Sequence, residues 1–240
     1  MNKHFILLIS LLMVTSGLVH GQNKLQFHPI EHASFVISYG ETTIFVDPVG
    51  KVEQYASFGQ PDLILITHAH GDHYQPKLLD SIKAKESVLI GPKVIIDALG
   101  YGTLLQNGEQ TKILNIGIEA IPMYNTTAER LRFHVKGVGN GYVLTLGDER
   151  VYIAGDTEDI PEMRSLKDID HAFICMNLPY TMTYEQAASA VLEFKPRNVY
   201  PYHYRGQQTD FNKLYKEFPQ LVAASPDIKV HFLKWYAHEK

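Results

Sequence analysis

Residues 67–73 read Thr-His-Ala-His-Gly-Asp-His and follow directly on the uninterrupted apolar run Leu63-Ile64-Leu65-Ile66. An apolar run of that kind, too short for a typical helix, reads as a strand buried on both faces, and such a strand must be covered by helices or by a second sheet. The loop leaving it carries His68, His70, Asp72 and His73 at the carboxyl end of a strand, where the sites of open α/β sheets form. Imidazole nitrogens and carboxylate oxygens suit a borderline cation such as zinc. His68 and His70 can point to one side of the loop and Asp72 and His73 to another, so one short segment can serve two adjacent ions.

The composition supports a packed core: of 240 residues, 45% are hydrophobic and 20% charged, which excludes a disordered tail and a multi-pass membrane protein. With 22 Lys+Arg against 26 Asp+Glu there is no basic excess to hold a phosphate backbone, so no nucleic-acid partner is expected. The single Cys175 excludes an internal disulfide framework. A basic start, the apolar stretch Phe5 to Val14, and the small residues Val19 and Gly21 form the pattern of a signal peptide over residues 1–21. Ten apolar residues are too few to span a bilayer as a helix, so no stable membrane insertion is expected after cleavage. The expected organisation is a leader, 1–21, and one exported domain, 22–240, in the periplasm or outside the cell.

Along that domain, β-rich runs alternate with turn signals. Phe35–Ser38 and Thr42–Val46 flank Tyr39-Gly40-Glu41 as a hairpin, and Gly141–Leu146 and Arg150–Ala154 flank Gly147-Asp148-Glu149 in the same way. Val88–Ile90, Ile113–Ile116, Ile118–Pro122 and Val199–Tyr200 read as further strands. Helices are predicted over Gln75–Ala84, Tyr184–Phe194 and Asp210–Phe218. The glycine-rich stretch Gly137–Gly141 lacks the strand-to-helix context of a nucleotide loop and reads as a flexible loop. Two packed sheets with helices outside them, a four-layer αββα sandwich of the α+β class, satisfy this order of elements.

Two more fragments follow predicted strands: Gly155-Asp156-Thr157 after Val151–Ala154, and Pro201-Tyr202-His203-Tyr204 after Val199–Tyr200. Alone, each reads as a turn or as packing. Beside the histidine loop they offer a bridging carboxylate, Asp156, and a further imidazole, His203. In this combination the sequence resembles the metallo-β-lactamase superfamily of αββα metal-dependent hydrolases. The stretch His32 to Pro48 is similar to the branch holding sugar-phosphate lactonase-like proteins and the phospholipase D that cleaves N-acyl phosphatidylethanolamines.

The resemblance implies that His68 and His70 ligate a first metal and that Asp72, His73 and His203 ligate a second, with Asp156 bridging. It also implies that Asp47 accepts a hydrogen bond from the outer nitrogen of a ligand histidine, and that His32 lies near the metals. Where many relatives have a histidine after a mid-domain strand, this chain has Ile121-Pro122-Met123-Tyr124-Asn125. Either Asn125 takes the place, or His134 reaches in, or the position stays open; His134 is carried into the expected ligand set.

The expected chemistry is hydrolysis of an ester, lactone, amide or phosphodiester in a small-molecule substrate by a metal-bound hydroxide. Two Zn2+ ions are expected, with Mn2+ or Fe2+ as substitutes. Asp72 and Asp156 would orient the water or return a proton, and His32, Tyr180 or Tyr204 would donate to the developing oxyanion. The alternatives are an iron-dependent redox enzyme on the same fold, whose di-iron members commonly carry Glu where this chain has His70, and a metal- or ligand-binding protein without catalysis. Specificity is assigned to the loops Tyr101–Gln110, Asn125–Val138 and Tyr180–Thr183.

Overall fold

Alternation within single strands separates the layers of this protein. Phe35, Ile37, Ile44, Val46, Leu63 and Leu65 join one large apolar core, whereas their chain neighbours Val36, Phe45 and Ile64 turn to smaller clusters on the other face. A sheet apolar on both faces has to be covered on both, and here a second sheet lies on one side and helices on the other. A computed structural model describes residues 24–236. The predicted leader, residues 1–21, lies outside the described residues.

The chain runs β1 (Leu25–Glu31), β2 (Ser34–Tyr39), β3 (Thr42–Val46), β4 (Leu63–Leu65), α1 (Pro76–Ile82), β5 (Val88–Gly91), α2 (Lys93–Leu99) and β6 (Thr103–Leu104). It continues as β7 (Gln110–Ile113), β8 (Ile116–Met123), β9 (Gly139–Leu146), β10 (Glu149–Ile153), α3 (Pro161–Arg164), β11 (His171–Cys175), α4 (Tyr184–Phe194), β12 (Asn198–Tyr202), α5 (Phe211–Val222) and β13 (Lys229–Val230). Among the described residues these strands form a six-stranded sheet, β1-β2-β3-β4-β5-β6, and a seven-stranded sheet, β13-β12-β11-β10-β9-β8-β7. Both are mixed. Each has antiparallel strands toward one edge and parallel ones toward the other, the changes falling at β3 and β10. No helix of the described residues is long and apolar enough to cross a membrane.

Local chemistry explains several boundaries. Thr183 caps α4 by accepting from the Gln186 amide at 3.2 Å, and Gln186 Oε1 returns the bond from the Thr183 amide at 3.0 Å. The helix stops at Lys195, which is left-handed, one residue before Pro196. Other boundaries correct the sequence reading. Ile113–Ile116 is not one strand: Leu114 and Asn115 have φ of 53° and 63°, forming the two-residue turn of the β7–β8 hairpin. Gly139–Gly141 is not a flexible loop but the start of β9, and a Cβ on Gly141 would sit 2.8 Å from the Ala154 carbonyl oxygen. β1, α2, β6, α3 and β13 lie outside the elements that the sequence pattern predicts.

The carboxyl ends of β3, β4, β8, β10 and β12 converge on one edge of the sandwich. Asp47, Thr67–His73, Asn125, Asp156 and His203 follow those ends.

Candidate metal centre

Asp47 is wholly buried just past β3 and organises the histidine loop. Its Oδ1 accepts from the Thr67 amide at 2.7 Å, while Oδ2 accepts from Thr67 Oγ1 at 2.6 Å and from His73 Nδ1 at 2.7 Å. Asp47 holds a proton of His73 on Nδ1 and turns Nε2 into the site; burial would lower the His73 pKa, but Asp156 and Asp47 outweigh it and raise it well above that of an ordinary imidazole, so a cation at Nε2 displaces a proton. There Nε2 lies 2.9 Å from His203 Nε2 and 3.4 Å from Asp156 Oδ1. His203 Nε2 is also 3.3 Å from Asp72 Oδ2. The ligand atoms of His32, Asp72 and His203 all lie within 4.8 Å of one another.

On the other side of Asp156, His68 Nε2 and His70 Nδ1 are 3.0 Å apart, and His134 Nε2 is 3.3 Å from Asp156 Oδ2. His68, His70 and His134 also bring their ligand atoms within 4.8 Å of one another, as do His68, His73 and Asp156. Every residue of the predicted ligand set is therefore drawn into one cluster, with the Asp156 carboxylate between two groups of imidazoles. His134, and not Asn125, takes the mid-domain position. Asn125 Nδ2 spends both protons on the carbonyl oxygens of Tyr180 (2.7 Å) and Arg130 (2.9 Å). His134 Nδ1 lies 3.2 Å from the same Tyr180 oxygen and donates to it, which leaves Nε2 bare.

The donor set fits divalent cations. His134 Nε2 and Asp156 Oδ1 are buried and have no hydrogen-bond partner among the described residues, although burying such groups unpaired is costly. A cation between them would satisfy both. Burial drives the pKa of His68 well below that of an ordinary imidazole, with His73 adding to the effect, and burial likewise lowers His203. Neutral imidazole is the form that ligates. Burial would raise the Asp156 pKa, but His203, His73 and His134 outweigh it and hold the carboxylate ionised. Asp72 behaves alike: burial is overcome by His203 and His32. Strain also collects here, for His32, Asp47 and His203 have φ of 60°, 43° and 47°.

A model of the beta-lactamase superfamily domain matches residues 25–203. The chain belongs to that superfamily. Among its relatives, a UPF0173 metal-dependent hydrolase of Pyrococcus horikoshii is 30% identical over 220 residues, covering 81% of this chain and 94% of the relative. A solved structure from Parabacteroides distasonis, assigned as a metal-dependent hydrolase, gives a TM-score of 0.80 at 42% identity over 88% of this chain and 94% of that one. The diiron β-hydroxylase CmlA of Streptomyces venezuelae gives 0.68 at 18% identity over 88% of this chain and 53% of that one, a likeness of fold alone.

As a superfamily member, this chain opens a cavity of about 380 Å³ over the cluster. His32, His70, Asp72, His134 and Asp156 line it, with Phe133, Asn177, Tyr180, Arg205 and Gln207 as further walls. Two of the three loops expected to shape specificity take part; no residue of Tyr101–Gln110 does. Tyr204 is corrected as an oxyanion donor, being buried with its hydroxyl 2.8 Å from that of Tyr215. Cys175 is wholly buried, and burial pushes its thiol far above the usual range, which disqualifies it as a nucleophile. Asn177, Arg205 and Gln207 were missed. Arg205 follows His203, a member of the cluster, by two residues, a proximity that could have drawn attention to it.

Proposed function

We propose that this chain is a metal-dependent hydrolase that holds two divalent cations, zinc by choice of donors, and cleaves an ester, lactone, amide or phosphodiester bond in a small molecule. The observation that carries this reading is Asp156, whose carboxylate lies 3.3 Å from His134 Nε2, 3.4 Å from His73 Nε2 and 3.6 Å from His203 Nε2. His68, His70 and His134 would hold one cation and Asp72, His73 and His203 the other, with Asp156 shared. Such ions, when bound, acidify water and polarise the carbonyl or phosphoryl oxygen of the scissile bond.

The remaining work falls to the chain. Asp72, half exposed on the cavity wall, accepts a hydrogen bond from the attacking water and passes its proton to the leaving group. Its Oδ2 is 3.4 Å from His32 Nε2, which orients it. His32 Nδ1 is itself held by the Tyr236 hydroxyl at 2.8 Å. Tyr180 lines the same cavity and would donate to the developing oxyanion. The relatives named metal-dependent hydrolases support the reaction type. The His32–Pro48 stretch supports the lactonase-like branch, and the Phe5–Val14 run supports export of a 22–240 domain to the periplasm or beyond.

The test combines metal analysis of protein purified without added ions with a panel of lactone, ester, phosphodiester and amide substrates. Two equivalents of zinc and chelator-sensitive turnover of one class are expected. Metal-free protein that gains no turnover when zinc is supplied would sink the reading.

A further inference from the structure

The superfamily match ends at residue 203, yet the chain beyond it returns to the site. β13 pairs with β12 in parallel, so the segment that follows runs toward the carboxyl end of β12, where the candidate ligands gather. The His231 amide extends this pairing by donating to the Val199 carbonyl at 2.9 Å, and Trp235 Nε1 donates to the Pro201 carbonyl at 2.9 Å. The Trp235 ring is buried against Phe35, Phe173 and Tyr202. That wedge fixes the place of the next residue. Tyr236 is buried against Tyr204 and forms the wall of a cavity of about 470 Å³ together with His32 and Asp72.

His32 opens the two-residue turn between β1 and β2, with its backbone at φ 60° and its carbonyl accepting from the His203 amide at 3.3 Å. Its ring lies over that of His203, the centres 4.0 Å apart. Of its two nitrogens, Nδ1 is 2.8 Å from the Tyr236 hydroxyl and Nε2 is 3.4 Å from Asp72 Oδ2. An ionised carboxylate only accepts, so the imidazole proton belongs on Nε2, and a neutral ring protonated there accepts at Nδ1. With the proton on Nδ1, two bare acceptors would face each other instead. The Tyr236 hydroxyl is therefore the donor to His32, while its own oxygen accepts from the Arg205 amide at 3.1 Å. The hydrogen bonds all run one way, from the Arg205 amide through Tyr236 and His32 to Asp72.

We propose that Tyr236 is a positioning residue whose hydroxyl keeps the His32 proton on Nε2 and so aligns Asp72, which makes the 231–236 segment part of the working site. This rests on the hydrolase reading, in which Asp72 takes the proton of the attacking water. The hairpin turn fixes the His32 backbone but not which nitrogen carries the proton; the partner of the outer nitrogen decides that. With Tyr236 on one nitrogen and Asp72 on the other, one tautomer and one ring orientation are selected. Tyr236 touches no reacting atom. Its loss slows the chemical step while substrate binding stays as it was.

The experiment compares the full zinc-loaded chain with Tyr236→Phe, His32→Asn and the double variant; asparagine is chosen at 32 because it tolerates the left-handed backbone. Long-range proton–nitrogen NMR reads which imidazole nitrogens carry protons, and the signals lost in His32→Asn identify those of His32. Wild type is expected to show His32 protonated on Nε2 and bare at Nδ1, and Tyr236→Phe the average of two tautomers. With 4-nitrophenyl acetate and bis(4-nitrophenyl) phosphate as substrates, kcat is expected to fall about 10- to 100-fold in Tyr236→Phe with KM unchanged. The double variant is expected to be no slower than His32→Asn, because Tyr236 acts only through His32. His32 signals that stay the same in Tyr236→Phe overturn the proposal, as does a wild-type proton on Nδ1, which would leave Nε2 bare to bind metal. An unchanged kcat, or losses that multiply in the double variant, overturn it as well. A chain that turns over neither substrate counts against the hydrolase reading alone, and the His32 signals then decide on Tyr236. Circular dichroism checks that each variant is folded.

Discussion

Asp47 Oδ2 lies 2.7 Å from His73 Nδ1, and both side chains are buried to 1% exposure or less. The pair couples the end of one strand to the loop after the next, and through His73 Nε2 it reaches His203 and Asp156. Asp47→Asn keeps the size but removes the charge that holds the His73 proton on Nδ1. Affinity for one of two metals is expected to drop about 10- to 100-fold. Competition with a chromophoric chelator measures it, and two unchanged affinities would show that Asp47 serves only the fold.

Among the histidines of the cluster that Asp156 joins, His70 lies on the exposed side, whereas His68, His73, His134 and His203 are buried. Truncating it removes a ligand without opening the core. His70→Ala is therefore expected to abolish turnover while shifting the unfolding free energy of the metal-free protein by no more than about 0.5 kcal/mol, the range of surface substitutions. Urea titration and the substrate panel check both halves, and full activity would reject the ligand assignment.

The cluster was legible from sequence where a candidate ligand sits in the stretch leaving a strand. Asp156 and His203 come three residues and one residue past β10 and β12, and His68, His70, Asp72 and His73 share the one loop that leaves β4, so their type and that placement suffice to gather them. His134 is eleven residues beyond Met123, the end of β8, and its approach depends on tertiary contacts that no local pattern shows. Glu158 takes the amides of Thr126 (2.7 Å) and Thr127 (2.6 Å) and the Arg130 guanidinium (2.8 Å), folding that loop back. The β7–β8 turn escaped notice for a different reason. Its first left-handed residue is Leu114, a type that rarely accepts that conformation, so the apolar residues read as one unbroken strand. α2 was hidden likewise, because Val94-Ile95-Ile96 suits a strand as well as a helix.

Away from the candidate metal centre, His171 and His231 flank Tyr200, the first 3.1 Å from its hydroxyl and the second stacked on its ring at 4.9 Å. Burial lowers the pKa of both; for His171 it outweighs Glu149, and for His231 it is reinforced by His171 and Lys229. A histidine with a depressed folded pKa is neutral in the native state and takes up its proton on unfolding. Its contribution is thus full above the unfolded value of about 6.5 and is lost as pH falls below it. The urea midpoint is expected to fall from pH 7.5 to pH 5.5, and to fall less in His171→Gln/His231→Gln. Equal falls in the two proteins would assign the loss to other groups.

Asn125 sits where a direct ligand would stand and instead ties the His134 loop to the loop of Tyr180. Its two bonds, to the oxygens of Tyr180 and Arg130, are made in a buried setting, and Asn125→Ala removes both, leaving the Tyr180 oxygen to His134 Nδ1 and the Arg130 oxygen to the Phe133 amide. A loss of about 1–3 kcal/mol in stability follows from removing two hydrogen bonds worth about 0.5–1.5 kcal/mol each. The larger consequence is positional. Without the tie, His134 Nε2 loses its fixed distance from Asp156, and affinity at the His68–His70–His134 side should weaken while the His73–His203 side holds. Stepwise zinc titration of Asn125→Ala against His134→Ala tests this. If the two variants weaken the same single binding step, Asn125 acts through His134. If Asn125→Ala weakens both steps or neither, its role is confined to packing.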